Sequence, residues 1–146
     1  MEKLKLKHAQ LLDILDRLEE SSNLFENFEK YSDASDPDEK EKIYRAFRDS
    51  LIQRFELSVD LFWKYVKRYL QKKVKQAIEI NAPRPVIRDA CRAKLISEED
   101  AEDILTMIDD RNMSSHIYKE EIAEQISSRI INHYQIIKKC ADRLSP

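Results

Sequence analysis

The chain has 146 residues and no glycine; 37% of its residues are charged, 42% are hydrophobic, and its net charge is −2. Without glycine it cannot form a P-loop or a Rossmann dinucleotide-binding turn, because both need glycine where the backbone approaches phosphate. The composition is too apolar for a disordered chain and is rich in helix formers, so we expect a single all-α domain over residues 1–146.

The first predicted helix runs from Glu2 to about Tyr31. Residues at alternating spacings of four and three form one mostly apolar stripe, which is typical of a helix that faces a core. The members of this stripe are Leu4, His8, Leu11, Leu15, Leu18, Ser22 and Phe25.

The cellular location is predicted from the start of the chain and from its cysteines. The charged N-terminal residues include no apolar run of the kind found in a signal peptide, and no segment reaches the about 20 apolar residues of a membrane span. Cys91 and Cys140 form no metal-binding pattern and are expected to be reduced thiols. We therefore expect a cytoplasmic protein without membrane contact.

A second predicted helix begins at Pro37 and continues to about Gln76. Asp36 is suited to cap it, because proline follows at the first helical position and Glu39 stands where a capping box needs an acid. Apolar residues cover more than one face of this helix. We therefore expect it to be central in a bundle, to form part of a subunit interface, or to do both.

Three further helices complete the prediction. A stretch with two prolines, residues 81–85, ends the second helix, and a short helix follows from Pro83 to about Lys94. Ser97 is suited to cap the next helix, and a last helix runs from Lys119 to about Leu144. The inward residues of the helix after Ser97 are Ile104, Leu105, Met107 and Ile108. The local structure of residues 109–118 stays open. Together these segments predict an antiparallel four-helix up-and-down bundle with a short extra helix.

Charge is segregated along the second half of the chain. Residues 64–94 contain ten basic and two acidic side chains, whereas residues 97–124 contain ten acidic and two basic ones. Basic residues recur every four positions in two rows, Arg84, Arg88 and Arg92 in one and Lys64, Arg68 and Lys72 in the other. Two interpretations are open: the blocks attract each other as solvated faces, or the basic block binds phosphate, as in an RNA backbone.

The eight residues from Arg111 to Tyr118 concentrate polar side chains that suit phosphodiester chemistry. Arginine holds phosphate through two parallel hydrogen bonds, and histidine exchanges protons near neutral pH. This predicts Arg111 and His116 as catalytic residues, with Asn112 and Ser115 in support. No metal and no cofactor are expected, since no nearby carboxylates have metal-ligand spacing. A purely structural role for His116 is the alternative.

The spacing of Arg111 and His116 raises a geometric problem. Five residues apart on a helix, they point about 140° away from each other. They converge only if the long arginine side chain wraps round, if the helix ends between them, or if a second copy of the chain completes the site.

Three stretches, in order along the chain, resemble the HEPN superfamily, and more closely the nucleotidyltransferase substrate-binding protein family within it. They are Arg54-Phe55-Glu56 with Phe62-Trp63-Lys64, then Pro83-Arg84 with Val86-Ile87-Arg88-Asp89-Ala90, and finally Asp110-Arg111-Asn112-Met113-Ser114-Ser115-His116-Ile117-Tyr118. Arg-x4-His-x-Tyr in the last stretch is similar to the superfamily signature. Pro85 departs from the pattern, because a residue other than proline is expected there.

The resemblance implies a homodimer with a shared cleft, a partner chain that is a minimal nucleotidyltransferase, and RNA as the substrate. In such toxin–antitoxin pairs the HEPN chain is a metal-independent endoribonuclease that uses the ribose 2′-hydroxyl as nucleophile. Arg111 would stabilise the phosphate, His116 would be the general acid/base, Asn112 would position, and Tyr118 would accept AMP from the silencing partner. The alternatives are a non-catalytic substrate-binding subunit of a separate nucleotidyltransferase, or a plain dimeric structural module.

Overall fold

The computed structural model describes residues 1–33 and 35–146. These residues contain five α-helices. They are α1 (Glu2–Glu26), α2 (Pro37–Tyr69), α3 (Pro83–Arg92), α4 (Glu98–Met113) and α5 (Glu120–Arg143). Short 3₁₀ helices cover Phe28–Tyr31 and Ser114–His116, and a π-helical turn over Leu70–Val74 extends α2. No strand occurs among the described residues, so the predicted all-α class is confirmed.

Side-chain contacts fix the directions of the long helices. His8 in α1 contacts both the Tyr65 ring in α2 and the Ala141 carbonyl in α5, so α1 is antiparallel to α2 and α5. At the other end of the pair, Phe25 of α1 packs on Tyr44 of α2. Ion pairs from α4 to α5 run in the antiparallel sense as well. Helices α1, α2, α4 and α5 therefore form the predicted up-and-down bundle, with α3 as the short extra helix.

Helix α2 is the centre of this bundle. It packs against α1, α3, α4 and α5, which confirms the expectation drawn from its wide apolar surface. Its buried apolar residues are Leu51, Ile52, Phe55, Val59, Phe62, Tyr65 and Val66. The stripe predicted for α1 also faces the core, with Leu4, Leu11, Leu15 and Leu18 fully buried. A role of α2 in a subunit interface stays a prediction.

The second helix, predicted to reach about Gln76, is α-helical to Tyr69 and π-helical to Val74. Three further details of the helix ends also differ from the prediction. The first helix is α-helical only to Glu26, and the 3₁₀ helix carries it on to Tyr31. The Asp36 carboxylate caps α2 by accepting from the Asp38 N–H at 3.2 Å, rather than from Glu39 as a capping box requires. Helix α3 ends at Arg92, two residues earlier than predicted.

The early end of α3 follows from a left-handed residue in a chain without glycine. Lys94 has φ of 61°, and the N–H of Leu95 reaches back to the Ala90 carbonyl at 3.0 Å, the pattern of a Schellman motif. Lys75 takes the same conformation, with φ of 62°, after the π-helical turn. Glycine normally occupies such positions because a Cβ atom makes them unfavourable.

A buried arginine attaches the start of α5 to α2. Only 1% of the Arg48 side chain is exposed, and its guanidinium donates to Glu120 at 2.7 Å and to Glu124 at 3.0 Å. The Tyr44 hydroxyl donates to Glu124 as well, and burial together with this bond raises the pKa of Tyr44 to about 12. Because α5 begins here, this contact also holds one end of the segment that joins it to α4.

Candidate functional site

The polar segment from Arg111 to Tyr118 spans the end of α4 and the turn into α5. The α-helix continues to Met113 and the 3₁₀ helix follows, so the α-helix ends between Arg111 and His116. The Ser114 hydroxyl donates to the Arg111 carbonyl at 2.6 Å, and the Ser115 hydroxyl donates to the Asn112 carbonyl at 3.3 Å. Both serines thereby donate to carbonyl groups in the last turn of α4, and the Ser114 N–H donates to the Arg111 carbonyl as well.

Arg111 is held by two carboxylates of α2. Its Nε and one terminal nitrogen donate to the two oxygens of Asp60, each at 3.1 Å, and Glu56 lies 3.9 Å from the other terminal nitrogen. The hydrogen bond with Asp60 is the main reason that the pKa of Arg111 is raised. A phosphate would have to compete with this bidentate pair, because the guanidinium already has its two best-oriented donors engaged.

His116 and Tyr118 form an exposed pair on the turn. The Tyr118 hydroxyl lies 3.5 Å from His116 Nδ1, and the two rings meet edge to face with centroids 6.0 Å apart. The Tyr118 side chain is 73% exposed, and the Lys119 ammonium lies 5.9 Å from its ring centroid. Asn112 and Ser115 are exposed on the same segment. An approaching macromolecule can therefore reach the imidazole and the phenol directly.

Within one chain the predicted catalytic pair does not share a partner. Arg111 is directed to Asp60 and Glu56 on α2, whereas the imidazole of His116 contacts Tyr118. The helix does end between Arg111 and His116, which was one of the three ways in which these side chains could converge. Their side chains nevertheless remain apart. Completion of the site by a second copy stays a prediction.

Asp110 anchors the end of α4 to α5 behind the exposed turn. Its carboxylate accepts two hydrogen bonds from Arg129, at 2.8 and 2.7 Å, and one from His133 Nε2 at 2.7 Å. The His133 ring stacks on Phe55, with centroids 5.4 Å apart. Burial alone would raise the pKa of Asp110, but the bonds from His133 and Arg129 outweigh it and lower the pKa to about 2. The adjacent Arg111 therefore leaves α4 from a fixed backbone.

Sequence reasoning missed Asp60, Asp110 and His133. A signal for the buried pair was present, because Asp110 follows the inward Met107 by three positions and His133 lies three positions after Ile130 and four before Ile137, on the same helix face as both. A polar residue on a buried face needs a partner, so each of the two could have predicted the other. Nothing in the sequence alone pairs Asp60 with Arg111.

The predicted arginine row on α3 is divided among different partners. Arg84 forms an ion pair with Asp109 of α4, so attraction between the basic and acidic blocks is realised at this position. Arg92 pairs with Asp89 of its own helix at 2.5 Å. Arg88 is exposed and lines, with Cys91 and further residues of α3 and α4, an open groove of about 460 Å³. A phosphate-binding role of Arg84, Arg88 and Arg92 stays a prediction.

Residues 1–33 and 35–146 contain no group of three or more His, Cys, Asp or Glu side chains placed to hold a metal ion. None of the helices formed by these residues is long and apolar enough to span a bilayer.

Comparison with known proteins places this geometry among related bundles. A family model described as "nucleotidyltransferase substrate binding protein like" matches residues 15–145. A structure from Thermus thermophilus is similar, with 29% sequence identity, a TM-score of 0.73, and coverage of 93% of this chain and 99% of that one. No protein of curated function matches the chain.

A second similar structure comes from Haemophilus influenzae and is described as revealing the fold of a substrate binding domain of a nucleotidyltransferase. It has 20% identity and a TM-score of 0.80, and the match covers 95% of this chain and 99% of that one. At this identity the likeness concerns the fold. The chain therefore has the length and arrangement of a bundle that is already known.

Proposed function

The chain belongs to the nucleotidyltransferase substrate binding protein like family, and on this premise we propose that it is a non-catalytic substrate-binding subunit that forms a complex with a separate nucleotidyltransferase chain. The family match over residues 15–145 carries the proposal, because it includes α2 to α5, the second half of α1 and the polar segment at the end of α4. The subunit contributes a binding surface, and the partner contributes the transfer chemistry.

The state of Arg111 supports a binding role over a cleaving one. Its guanidinium is paired with Asp60 and faces Glu56, so the immediate charge around it is not positive. Tyr118, by contrast, presents most of its ring to solvent. Large amphipathic side chains of this kind dominate the energetics of many interfaces. We assign the exposed turn, residues 112–118, as the surface that meets the nucleotidyltransferase.

The test measures association with a purified minimal nucleotidyltransferase from the same genome, by calorimetric titration of the full chain. Tyr118→Ala should weaken binding at least about tenfold, since exposed interface tyrosines often contribute more than about 1.4 kcal/mol. Tyr31→Ala is the matched control, because Tyr31 is 61% exposed and lies on the 3₁₀ helix after α1. Equal loss in both variants, or no complex with the wild-type chain, would contradict the assignment.

The second candidate function is a HEPN-type toxin, a metal-independent endoribonuclease. The observation that favours it is the proximity of His116 to Tyr118 on the exposed turn. His116 would be the general acid/base, Arg111 would leave Asp60 to hold the phosphate, and Asn112 would position it, with Ser115 in support. In a cytoplasmic homodimer, a second copy would supply the arginine that this geometry keeps away from His116.

Silencing would then act on Tyr118. The phenol oxygen would attack the α-phosphorus of ATP on the nucleotidyltransferase, pyrophosphate would leave, and the phenol proton would pass to a nearby base. Intact mass would rise by one AMP in the wild-type chain and stay unchanged in Tyr118→Phe.

Cleavage of RNA by the unmodified chain, lost in His116→Ala, would establish the toxin. If the unmodified chain at micromolar concentration does not cleave RNA, the toxin function is contradicted and the binding-subunit function stands. Light scattering would check the homodimer independently.

A further inference from the structure

Within the basic block of residues 64–94, Arg84 and Arg92 each have a carboxylate partner, whereas Arg88 and Lys94 form no ion pair with the described residues. The end of α2 with its π-helical turn has six cations and no acid between positions 61 and 78. One of the six, Lys67, donates a hydrogen bond to the neutral Asn81 Oδ1 at 3.1 Å. We call Lys64, Lys67, Arg68, Lys72, Lys73 and Lys75 the basic segment.

The acidic block does not neutralise the basic segment. Five of its ten acidic residues pair elsewhere: Asp109 with Arg84, Asp110 with Arg129 and His133, Asp100 with Lys139, and Glu120 and Glu124 with Arg48. Over the described residues, no ion pair includes a cation of the basic segment. Lys64 and Arg68, and again Arg68 and Lys72, are like charges four apart, a spacing that destabilises a helix. The fold therefore keeps a repulsive charge cluster in a chain whose net charge is −2.

An aromatic ring lies within this cluster. Lys64 and Lys67 each place an ammonium group 5.9 Å from the centroid of Trp63, which is half-buried. Tyr65, by comparison, is fully buried and donates to the Leu144 carbonyl, so it belongs to the core. Trp63 is the one tryptophan of the chain. Trp63 packs against the core with part of its ring and leaves the rest exposed. Cations beside a partly exposed ring are a combination with which proteins bind single-stranded nucleic acid.

Two residues of the basic segment, Lys64 and Lys67, lie on the helix face that holds Arg111. On α2, Lys64 and Lys67 follow Asp60 by four and seven positions, so both share its face at about 6 and 10 Å along the axis. Asp60 is the residue that pairs with Arg111. A single-stranded nucleic acid bound along the basic segment would thus extend toward the end of α4.

We propose that the basic segment binds the phosphate backbone of single-stranded nucleic acid and that a base stacks on Trp63. Cations without an ion-pair partner attract any polyanion. The aromatic ring beside them favours single-stranded nucleic acid, because every base can stack on such a ring. The proposal goes beyond the binding-subunit function and does not depend on it. Binding of nucleic acid requires neither cleavage by His116 nor a nucleotidyltransferase. Experiments can therefore contradict this proposal and the binding-subunit function separately.

The experiment follows the emission of Trp63 while a single-stranded oligouridylate of about 20 nucleotides is added to the full chain. Because no other tryptophan contributes, the signal reports on the proposed site without any substitution. Binding should change the emission and should weaken as salt increases from about 50 to 200 mM. A polyglutamate of similar length is titrated in parallel.

Two triple variants test the location. The variant that carries Lys64→Glu, Lys72→Glu and Lys73→Glu together should bind the oligouridylate roughly tenfold or more weakly. The slope of log affinity against log salt concentration should also become shallower by about 2, since each of the three lost phosphate contacts contributes about 0.7. The matched control carries Lys30→Glu, Lys40→Glu and Lys42→Glu, the same charge change on exposed lysines near the other end of α2. Circular dichroism checks that both variants remain helical.

Each outcome decides the proposal. Loss of binding in the first variant and retention in the control, with a change in Trp63 emission for the wild-type chain, supports it. Equal affinity of both variants overturns it. Binding of polyglutamate as tightly as the oligouridylate, with Trp63 emission unchanged, also overturns it and assigns the segment to an acidic protein partner.

Discussion

Replacement of Asp110 by asparagine is the sharpest test of the packing behind the turn. The change keeps the shape of the side chain but removes the charge that accepts from Arg129 and His133. It also places an amide N–H₂ group where a carboxylate oxygen received a donor. The side chain is only 8% exposed, so water cannot replace the lost interactions.

The magnitude follows from the pKa. The folded protein lowers the pKa of Asp110 from its ordinary 3.8 to about 2. At 1.36 kcal/mol per pH unit, this difference corresponds to about 2.4 kcal/mol of stability at pH 7. Because the folded pKa lies below the unfolded one, the contribution is complete above about pH 4 and is lost as the pH falls through about 2. About half of it remains at pH 3.

Urea unfolding followed by circular dichroism measures the effect. With a slope of about 2 kcal/mol/M, Asp110→Asn should lower the midpoint by about 1 M at pH 7. The difference from the wild-type chain should shrink by about half at pH 3. Asp109→Asn is the control, because Asp109 is 62% exposed and its ion pair with Arg84 contributes at most about 1 kcal/mol.

Equal losses of stability in the Asp110 and Asp109 variants would show that the buried Asp110 carboxylate contributes no more than an exposed ion pair. A difference between Asp110→Asn and the wild-type chain that stays constant from pH 7 to pH 3 would contradict the prediction as well, since the titration of the carboxylate would then not be the cause.

Three further predictions concern other parts of the fold. Lys94→Gly should stabilise the fold by about 1 kcal/mol in the same assay. A left-handed residue with a Cβ costs about 1–3 kcal/mol, and glycine removes this cost but increases the entropy of the unfolded chain, which offsets part of the gain. Destabilisation by Lys94→Gly would contradict the Schellman geometry. Arg48→Met should lower the free energy of unfolding by about 2 kcal/mol. The loss is smaller than for removing one partner of a fully buried ion pair, because Glu120 is 58% exposed and water can solvate it in the variant. An unchanged urea midpoint would mean that the ion pair of Arg48 does not stabilise the fold. Burial raises the pKa of the Cys140 thiol to about 11, so an alkylating reagent at pH 8 should modify Cys91 first, as read by peptide mass; equal rates would place Cys140 nearer the surface.

Much of the fold could be predicted because the signals are local. The Asp36 and Ser97 caps and the apolar stripes depend on residues a few positions apart, and they identify where α1, α2, α4 and α5 begin and which faces are buried. The end of α3 was misplaced because it depends on a left-handed lysine. Without a glycine to mark it, that conformation leaves little trace in the sequence.

The site was harder to predict because its contacts are long-range. The motif indicated which residues are polar, and Tyr118 and His116 do lie together on an exposed turn. The partner of Arg111, however, lies 51 positions away on α2, and Asp110 meets His133 across 23 positions. Such pairs depend on how the helices pack, which residue spacing within one segment does not determine.

Titration of the wild-type chain with a minimal nucleotidyltransferase from the same genome tests whether the chain is a binding subunit. We expect a stable complex that Tyr118→Ala weakens at least about tenfold and Tyr31→Ala leaves intact. We also expect that the free chain does not cleave RNA. Absence of a complex at tens of micromolar, or RNA cleavage that His116→Ala abolishes, would contradict the binding-subunit account.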